Sequence, residues 1–420
     1  MNARFPQVTA FVRPDASVRA TVSSPQSRPG PLGLYKTSVL VVVLCLVYLE
    51  LPNYVYLLSG YTPIGIPKYI YYAFFVFVAP LLLQFRALTL YLISPFSLWA
   101  FGWIVLNITH FSFALIDGDL SRASLIGTRI QTAVLAVLLG FACSITRTTS
   151  YERIFPFLAG LIPTMMIVDF LNPGVFYPLG TEGTILGRAS ATFIGAGKAG
   201  EGILLTFLLA IPVLRPRYRA PLLLLVGAGL LLTFARGPLL CWMLLWLLLL
   251  LRNAVPKYTL AVALVALGAL PLLLGSFQSY LEGREDLSEG LDNLLGRLEF
   301  FQDRVMDDDS ALERAQVAEA GLDLFLENPI FGAGAGATHL WSLTDTHNQP
   351  VMLAAEYGVF GIALWVWLAV ILWKGKYFQD KTFQLSVAAG FIFLSMFTHN
   401  MLDFPYWLLT FALISGQRRA

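Results

Sequence analysis

His347 is the residue of this chain best suited to proton transfer near neutral pH. It stands in the stretch THNQP, where a polar, glycine-rich segment meets an apolar run of membrane length. Asn348 is beside it, and Glu356 follows just over two turns along the predicted helix. Because an imidazole titrates at about pH 6.5, a histidine at a membrane surface can accept a proton from a bound hydroxyl group. We predict that His347 is a general base supported by Asn348 and Glu356. The alternative is that His347 only caps the helix.

Three arginines near the ends of apolar segments indicate an anionic ligand. Arg188 stands in GRASATF, Arg236 forms a turn in FARGP, and Arg314 lies in a predicted loop helix. Arginine is costly at membrane depth, and its planar five-donor group matches phosphate oxygens. The expected ligand is a phosphate ester or a diphosphate. The alternatives are solvated surface charges at Arg188 and Arg314, and contact of Arg236 with lipid headgroups.

The remaining histidines divide into a supporting pair and a core residue. His399, in THNMLDFP, and Asp403 are predicted to reach the same surface as His347, whereas His110 is expected to be satisfied inside the bundle. His339, His347 and His399 are too scattered along the chain for a metal site, so none is predicted. No nucleotide or nucleic-acid site is predicted either.

A glycine-rich run precedes His347 by about ten residues. The glycines of GAGAG, at positions 332, 334 and 336, could offer backbone amides to an anion. The run lacks the Lys-Ser/Thr pair that completes a phosphate-binding P-loop. A plain turn is therefore the other interpretation.

Such residues must be positioned by a membrane protein. The chain is 57% hydrophobic and 13% charged, with a mean hydropathy of +0.69, which excludes a soluble globular domain. A helix needs about 20 apolar residues to cross the hydrocarbon core. We predict an all-α bundle of about twelve transmembrane helices, near 37–58, 69–85, 94–116, 128–146, 155–172, 199–214, 220–235, 238–251, 258–276, 349–373, 382–400 and 404–417.

The distribution of Lys and Arg predicts the orientation. Basic residues of the N-terminal tail, five later positions and the C-terminus fall on one side when these spans alternate. By the positive-inside rule, both termini are cytoplasmic. The predicted layout is a disordered cytoplasmic tail at 1–36, helices one to nine at 37–276, an outward loop domain at 277–348, and helices ten to twelve with the C-terminus at 349–420.

The outward loop at 277–348 is the only predicted connection long enough to fold by itself. It holds more than half of the acidic residues of the chain. The pair Ser310 and Glu313 forms a capping-box pattern, and Asn328-Pro329 ends the segment, so a helix is predicted at 311–327. Its apolar stripe is expected to pack on the bundle through Leu312, Ala315, Ala318, Leu322 and Phe325.

Four segments of the chain resemble the bacterial O-antigen ligase and O-antigen polymerase superfamily. ENPIFGAGAG followed by THNQPVMLAAEYGVFGIALW resembles its proline-to-glycine element and its His-Asn motif with a downstream glutamate. GRASATF and TFARGPLL resemble its arginine segments, with Ala235 in the place of a serine. The resemblance covers roughly residues 180–405.

The resemblance implies a metal-independent glycosyltransferase that needs no cofactor. Its donor would be a glycan on a polyprenyl (undecaprenyl) diphosphate carrier, used at the periplasmic face of the bacterial inner membrane. Its acceptor would be lipid A-core or a growing glycan. His347 would activate the acceptor hydroxyl, while Arg188, Arg314 and Arg236 would hold the diphosphate.

The residues leave the exact reaction open. A ligase attaches finished O-antigen to lipid A-core, whereas a polymerase extends a carrier-linked chain; length and loop position favour the ligase. A transporter of lipid-linked glycans is the more distant alternative. It should carry polar residues at mid-membrane in broken helices, and here polar groups gather at one face.

Overall fold

In the computed structural model the chain is helical wherever regular structure is described. The structure describes residues 30–59, 66–146, 148–178, 188–262, 309–341, 346–375, 377–378, 380–398 and 400–416. The helices are α1 (Pro31–Tyr48), α2 (Leu51–Leu58), α3 (Ile66–Leu82), α4 (Phe85–Leu92), α5 (Pro95–Ile116), α6 (Leu120–Ser144), α7 (Thr148–Leu171), α8 (Ala196–Ala210), α9 (Pro216–Thr233), α10 (Arg236–Leu251), α11 (Asp309–Glu327), α12 (Gln349–Lys374), α13 (Lys381–Ser395) and α14 (Pro405–Ser415), with a 3₁₀ turn at Met401–Asp403.

Several of these helices are long and apolar enough to cross a membrane. Among the described residues, five pass on length and hydropathy: α1, α5, α6, residues 153–171 of α7, and α12. A sixth is possible if the bent pair α3 and α4 forms one broken span, and α10, α13 and α14 are shorter apolar helices. The chain is therefore a helical membrane protein, and the number twelve stays a prediction. The ninth predicted span, 258–276, lies largely outside the described residues.

Three early elements differ from their predicted bounds. Helix α1 begins at Pro31, inside the predicted tail, and ends before Glu50, whose φ of 50° starts α2 as a separate helix. After α3, the chain turns by 113° into α4. Helix α6 starts at Leu120, eight residues before the predicted span, because the side chain of Asp119 caps it by accepting a hydrogen bond from the Arg122 amide. This earlier start puts Arg122 and Arg129 on α6.

The predicted loop helix is confirmed as α11, and it packs on α12 as expected, but two positions of its predicted apolar stripe, Ala315 and Leu322, are exposed. Val317 is buried, whereas Leu322 is 48% exposed. A Cβ at Gly321 would lie 2.7 Å from a methyl group of Val351, so the glycine lets α11 approach the first turn of α12 closely. The packed face is thus set by Val317 and Gly321, because the smallest residue decides where two helices can meet. The rest of the 277–348 loop before residue 309 lies outside the described residues.

Helix α12 is broken at Gly358, and the GAGAG loop repairs the break. Gly358 has φ 63° and ψ −146°, a conformation that essentially only glycine adopts. The carbonyls of Ala355 and Glu356 accept hydrogen bonds from the amides of Ala333 and Gly334, at 2.8 and 3.0 Å. The amide of Val359 donates to the Pro329 carbonyl at 2.9 Å. A backbone break inside a membrane protein is tolerated where protein groups satisfy the exposed polar atoms, as they do here.

The amides of the glycine loop therefore support the fold. Gly332 and Gly334 donate their amides to the carbonyls of Asn328 and Glu356. A Cβ at Gly332 would overlap the backbone of residues 356 and 357. Of the two interpretations of GAGAG, these contacts favour the turn.

Gly358→Ala is expected to destabilise the folded protein. A Cβ there would overlap the Ile330 carbonyl, and a positive φ costs a non-glycine residue about 1–3 kcal/mol before that overlap is counted. Thermal unfolding in detergent should show a clearly lower midpoint. The matched control is Gly102→Ala on α5, where the new Cβ would lie 3.7 Å from Leu364 in ordinary contact. Equal midpoints for the two variants would contradict the role of Gly358.

Candidate functional site

A buried arginine organises the end of the bundle where α12 begins. Arg129 on α6 is 1% exposed, and its guanidinium donates to Glu356 at 2.5 Å and to Asp403 at 2.9 Å. It also donates to the Tyr357 hydroxyl at 2.9 Å, and that hydroxyl donates to Asn107 at 2.8 Å. The guanidinium thus joins α5, α6, α12 and the 3₁₀ turn before α14 in one hydrogen-bonded network.

The loop before α12 is attached to this network. Glu356 accepts a hydrogen bond from the Thr338 hydroxyl at 2.7 Å and lies 3.1 Å from Nδ1 of His339. Burial lowers the pKa of His339, but its hydrogen bond to Glu356 and the charge of that carboxylate raise it. The net pKa lies above the ordinary histidine value. Arg122 adds hydrogen bonds to the carbonyls of Ala335 at 2.7 Å and Ala333 at 3.0 Å.

The 397–403 segment links this network to three other helix ends. A Cβ at Gly237, in the first turn of α10, would lie 2.9 Å from Cβ of Phe397. Thr398 donates to Glu201 on α8, and the Met401 amide donates to the Gln349 side chain at the start of α12. Asp403, at the far end of the segment, binds Arg129 on α6. Four helices therefore contact the described residues of positions 397–403, which we call the 397–403 segment below.

Two of the predicted arginines are associated with the α9–α10 turn. Nε of Arg188 donates to the Thr233 carbonyl at 2.9 Å, and the Ala189 amide donates to the Leu232 carbonyl. Thr233 ends α9, and Arg236 begins α10 three residues later. The turn between them is tight, with Phe234 at φ 49°. Both arginines are half-buried.

The arginine segment is held in place by an acidic side chain. The carboxylate of Asp169, near the end of α7, accepts hydrogen bonds from the amides of Ser190 and Ala191, both at 2.8 Å. Ala191 has φ 46°, a left-handed conformation that needs such support in a residue other than glycine. Ala235 occupies the N-cap of α10 and provides no side-chain hydrogen bond, so the departure from serine leaves that helix end uncapped.

His347 lies directly before α12, in a constrained backbone. Its φ is 47°, and the residue on each side is fixed: Thr346 is 2% exposed, while Asn348 caps the helix through the Val351 amide at 3.1 Å. The capping role belongs to Asn348, so the alternative that His347 is the cap is wrong. Left-handed non-glycine residues recur at functional sites, where the surrounding structure pays for the strain.

Arg314 lies on the face of α11 that packs on the start of α12. It precedes Gly321 by seven residues, which is two helical turns along the same face. Gly321 contacts Val351 and Thr346, the residue before His347. Arg314 itself is exposed.

The predicted site residues thus fall into three groups. His347 and Asn348 directly precede α12, Arg236 begins α10, and Arg188 binds the end of α9. Arg314 lies exposed on α11. Glu356 and Asp403 support this end from the bundle core through Arg129. His399 lies outside the described residues. His110 is buried as expected, with Nδ1 accepting from the Ala335 amide at 3.4 Å.

Several charged residues of this region were missed from the sequence. They are Arg122, Arg129, Asp169, Lys198 and Glu201. Each is a charge within or beside an apolar run, and the cost of such a charge at membrane depth is the signal that could have found them. Arg129 is the second residue of the predicted span at 128–146, and an arginine at the end of a span is ordinarily solvated.

These side chains include groups that can bind an oxyanion and a group that can accept a proton. Guanidinium groups at the α9–α10 turn offer donors that match phosphate, and His347 offers a base at the next helix end. Among the described residues, no group of three or more His, Cys, Asp or Glu side chains is arranged to hold a metal ion.

Comparison with known proteins gives one family. Residues 221–366, about a third of the chain, match the model described as O-antigen ligase. The match includes Arg236, Arg314, His347 and Glu356, and it leaves out Arg188, Arg129 and Asp403. No curated protein matches the chain. Over residues 221–366 the chain is thus similar to the O-antigen ligase family, in agreement with the resemblance of its His-Asn and FARGP segments.

Proposed function

We propose that the protein transfers a glycan from a polyprenyl diphosphate carrier, of the undecaprenyl type, to an acceptor hydroxyl. The reaction is the ligation of O-antigen to lipid A-core at the periplasmic face of the inner membrane. The observation that carries the proposal is that Gly237, next to Arg236, and Gln349, two residues after His347, both approach the 397–403 segment, while Arg188 binds the end of α9 at Thr233. The family match supports the class of reaction.

The chemistry follows from these groups. The acceptor hydroxyl attacks the anomeric carbon while His347 takes its proton, and the bond from that carbon to the diphosphate oxygen breaks. The diphosphate leaves with the bonding electron pair. Arg188, Arg236 and Arg314 then stabilise the negative charge that grows on it. Diphosphate is already a good leaving group, so the proposal includes no metal and no cofactor.

The orientation belongs to the same proposal. Both termini are cytoplasmic, and the helix ends around the 397–403 segment face the periplasm, in agreement with the distribution of Lys and Arg. The lipid carrier then reaches the arginines from the membrane, while the glycan and the acceptor occupy the water-exposed side.

Replacing either of two arginines by lysine should impair transfer without unfolding the protein. In Arg188→Lys and Arg314→Lys the charge stays, but a point charge cannot make the bidentate contact of a guanidinium with phosphate oxygens. We expect the transfer rate to fall by about tenfold or more, measured in membranes with a lipid-linked glycan donor. Arg252→Lys, at the exposed opposite end of α10, is the matched control. Unimpaired Arg188 and Arg314 variants would argue against contact with the diphosphate.

A polymerase is the second candidate, and a gel separates the two. Lipopolysaccharide from a strain that lacks the protein should carry no O-antigen polymer on its core if the protein is a ligase. A core capped with a single repeat unit would instead identify a polymerase. A strain complemented with the wild-type chain provides the reference in both cases.

A further inference from the structure

Lys198 lies at the end of the bundle that holds the predicted arginines. It stands in the first turn of α8, and its side chain is 15% exposed. Its ammonium group donates to the side-chain oxygen of Asn400, in the 397–403 segment, and lies 4.2 Å from the centre of the Phe404 ring. A helix N-terminus also favours a nearby anion, because its amides and dipole are positive.

The first turn of α8 touches the turn that carries Arg236. A Cβ at Gly200 would lie 2.7 Å from the ring of Pro238 and 3.6 Å from Cβ of Ala235. Lys198 is thus two residues from a direct contact with the Arg236 turn, and Arg188 is bonded to the other arm of that turn. Three cationic side chains come from adjacent segments at one end of the bundle.

The carboxylate beside Lys198 is satisfied largely by neutral donors. Glu201 accepts hydrogen bonds from Thr398 at 2.7 Å, from Trp407 at 2.7 Å and from Tyr406 at 3.1 Å. The ammonium of Lys198 is its most distant donor, at 3.4 Å. An ammonium group has three donors, so Asn400 and Glu201 leave it capacity for a further acceptor.

We infer that Lys198 is a further ligand of the diphosphate of the donor, beside Arg188 and Arg236. The inference rests on the proposed function. As the bond between the anomeric carbon and the diphosphate oxygen breaks, the ammonium keeps its proton and neutralises the charge left on the phosphate. A flexible lysine suits this role, because it can follow a leaving group that the bidentate arginines hold at fixed angles.

The opposing explanation is that Lys198 only balances the buried charge of Glu201. A pair of substitutions separates the two. Glu201→Gln removes that charge while keeping polar atoms for Thr398 and Trp407. If Lys198 is only a counter-ion of Glu201, adding Glu201→Gln to Lys198→Met should restore the wild-type KM for the donor. If it binds the diphosphate, the double variant should stay defective.

The experiment measures initial rates with the full-length protein in lipid nanodiscs and a defined polyprenyl-diphosphate glycan. We expect Lys198→Met to raise the KM for the donor about tenfold or more, with the KM for the acceptor unchanged. Lys198→Arg should retain most of the donor affinity, and the Lys198→Met, Glu201→Gln double variant should keep the raised KM. Lys374→Met, at the exposed opposite end of α12, is the matched control.

Recovery in the double variant, or an unchanged donor KM in Lys198→Met, would overturn the inference. If Lys198→Met does not accumulate, Lys198→Gln, which keeps a donor for Asn400, replaces it in the same test. Activity of the wild-type protein shows which proposal has failed. A wild type that transfers no glycan contradicts the proposed function, whereas an active wild type with an unaffected Lys198 variant contradicts only the role of Lys198.

Discussion

His347→Ala is expected to abolish glycan transfer while leaving the amount of folded protein unchanged. Loss of a general base slows a reaction by about 10²–10⁴-fold. The side chain is only partly buried, and the cap of α12 is made by Asn348 and not by the imidazole. Alanine at a φ of 47° costs little more than histidine there, because both carry a Cβ.

The measurement is the transfer rate in membranes at matched protein levels. Asn348→Ala is an informative companion, because it removes the helix cap and keeps the imidazole. We expect this variant to lose about 1 kcal/mol of stability, as other caps do, and to keep more activity than His347→Ala. Full activity of His347→Ala at normal protein levels would remove the histidine from the mechanism.

Arg129→Met is expected to have the largest effect on stability. It would leave the buried carboxylate of Glu356 without its cation, and Asp403 would lose the same partner. Removing one member of a buried ion pair typically costs about 3–5 kcal/mol. We expect a much lower unfolding midpoint in detergent and little protein in the membrane.

A second substitution tests whether charge is the cause. Adding Glu356→Gln to Arg129→Met removes the stranded charge, so part of the lost stability should return. Arg86→Met, at an exposed position of α4, is the control for removing an arginine as such. If Arg129→Met unfolds at the wild-type midpoint, the network around it does not stabilise the bundle.

The sequence was informative about elements whose signal is local. Helix α12 was predicted at 349–373 and is observed at Gln349–Lys374, because an apolar run follows directly on Asn348 and ends at Lys374. The helix at 311–327 was predicted from its cap and its terminating Asn-Pro pair. Apolar length, caps and prolines are properties of one segment, so they can be read without knowing what the segment packs against.

The parts that could not be predicted depend on contacts between distant segments. The break at Gly358 is stabilised by residues 329–334, and nothing in the apolar run around it shows that partner. Arg129 meets Asp403, which is 274 positions away in the chain. Similarly, the stripe proposed for α11 followed hydrophobicity, whereas the observed packing follows Gly321, whose partner Val351 lies on another helix.

The break in α12 also constrains the order in which the protein can assemble. Until residues 329–334 reach the helix, the carbonyls of Ala355 and Glu356 and the amide of Val359 have no internal partners, and lipid offers none. Residues 329–334 must therefore settle against α12 before this stretch can rest in the hydrocarbon. Biogenesis would then proceed by late insertion of one helix, guided by the loop synthesised just ahead of it.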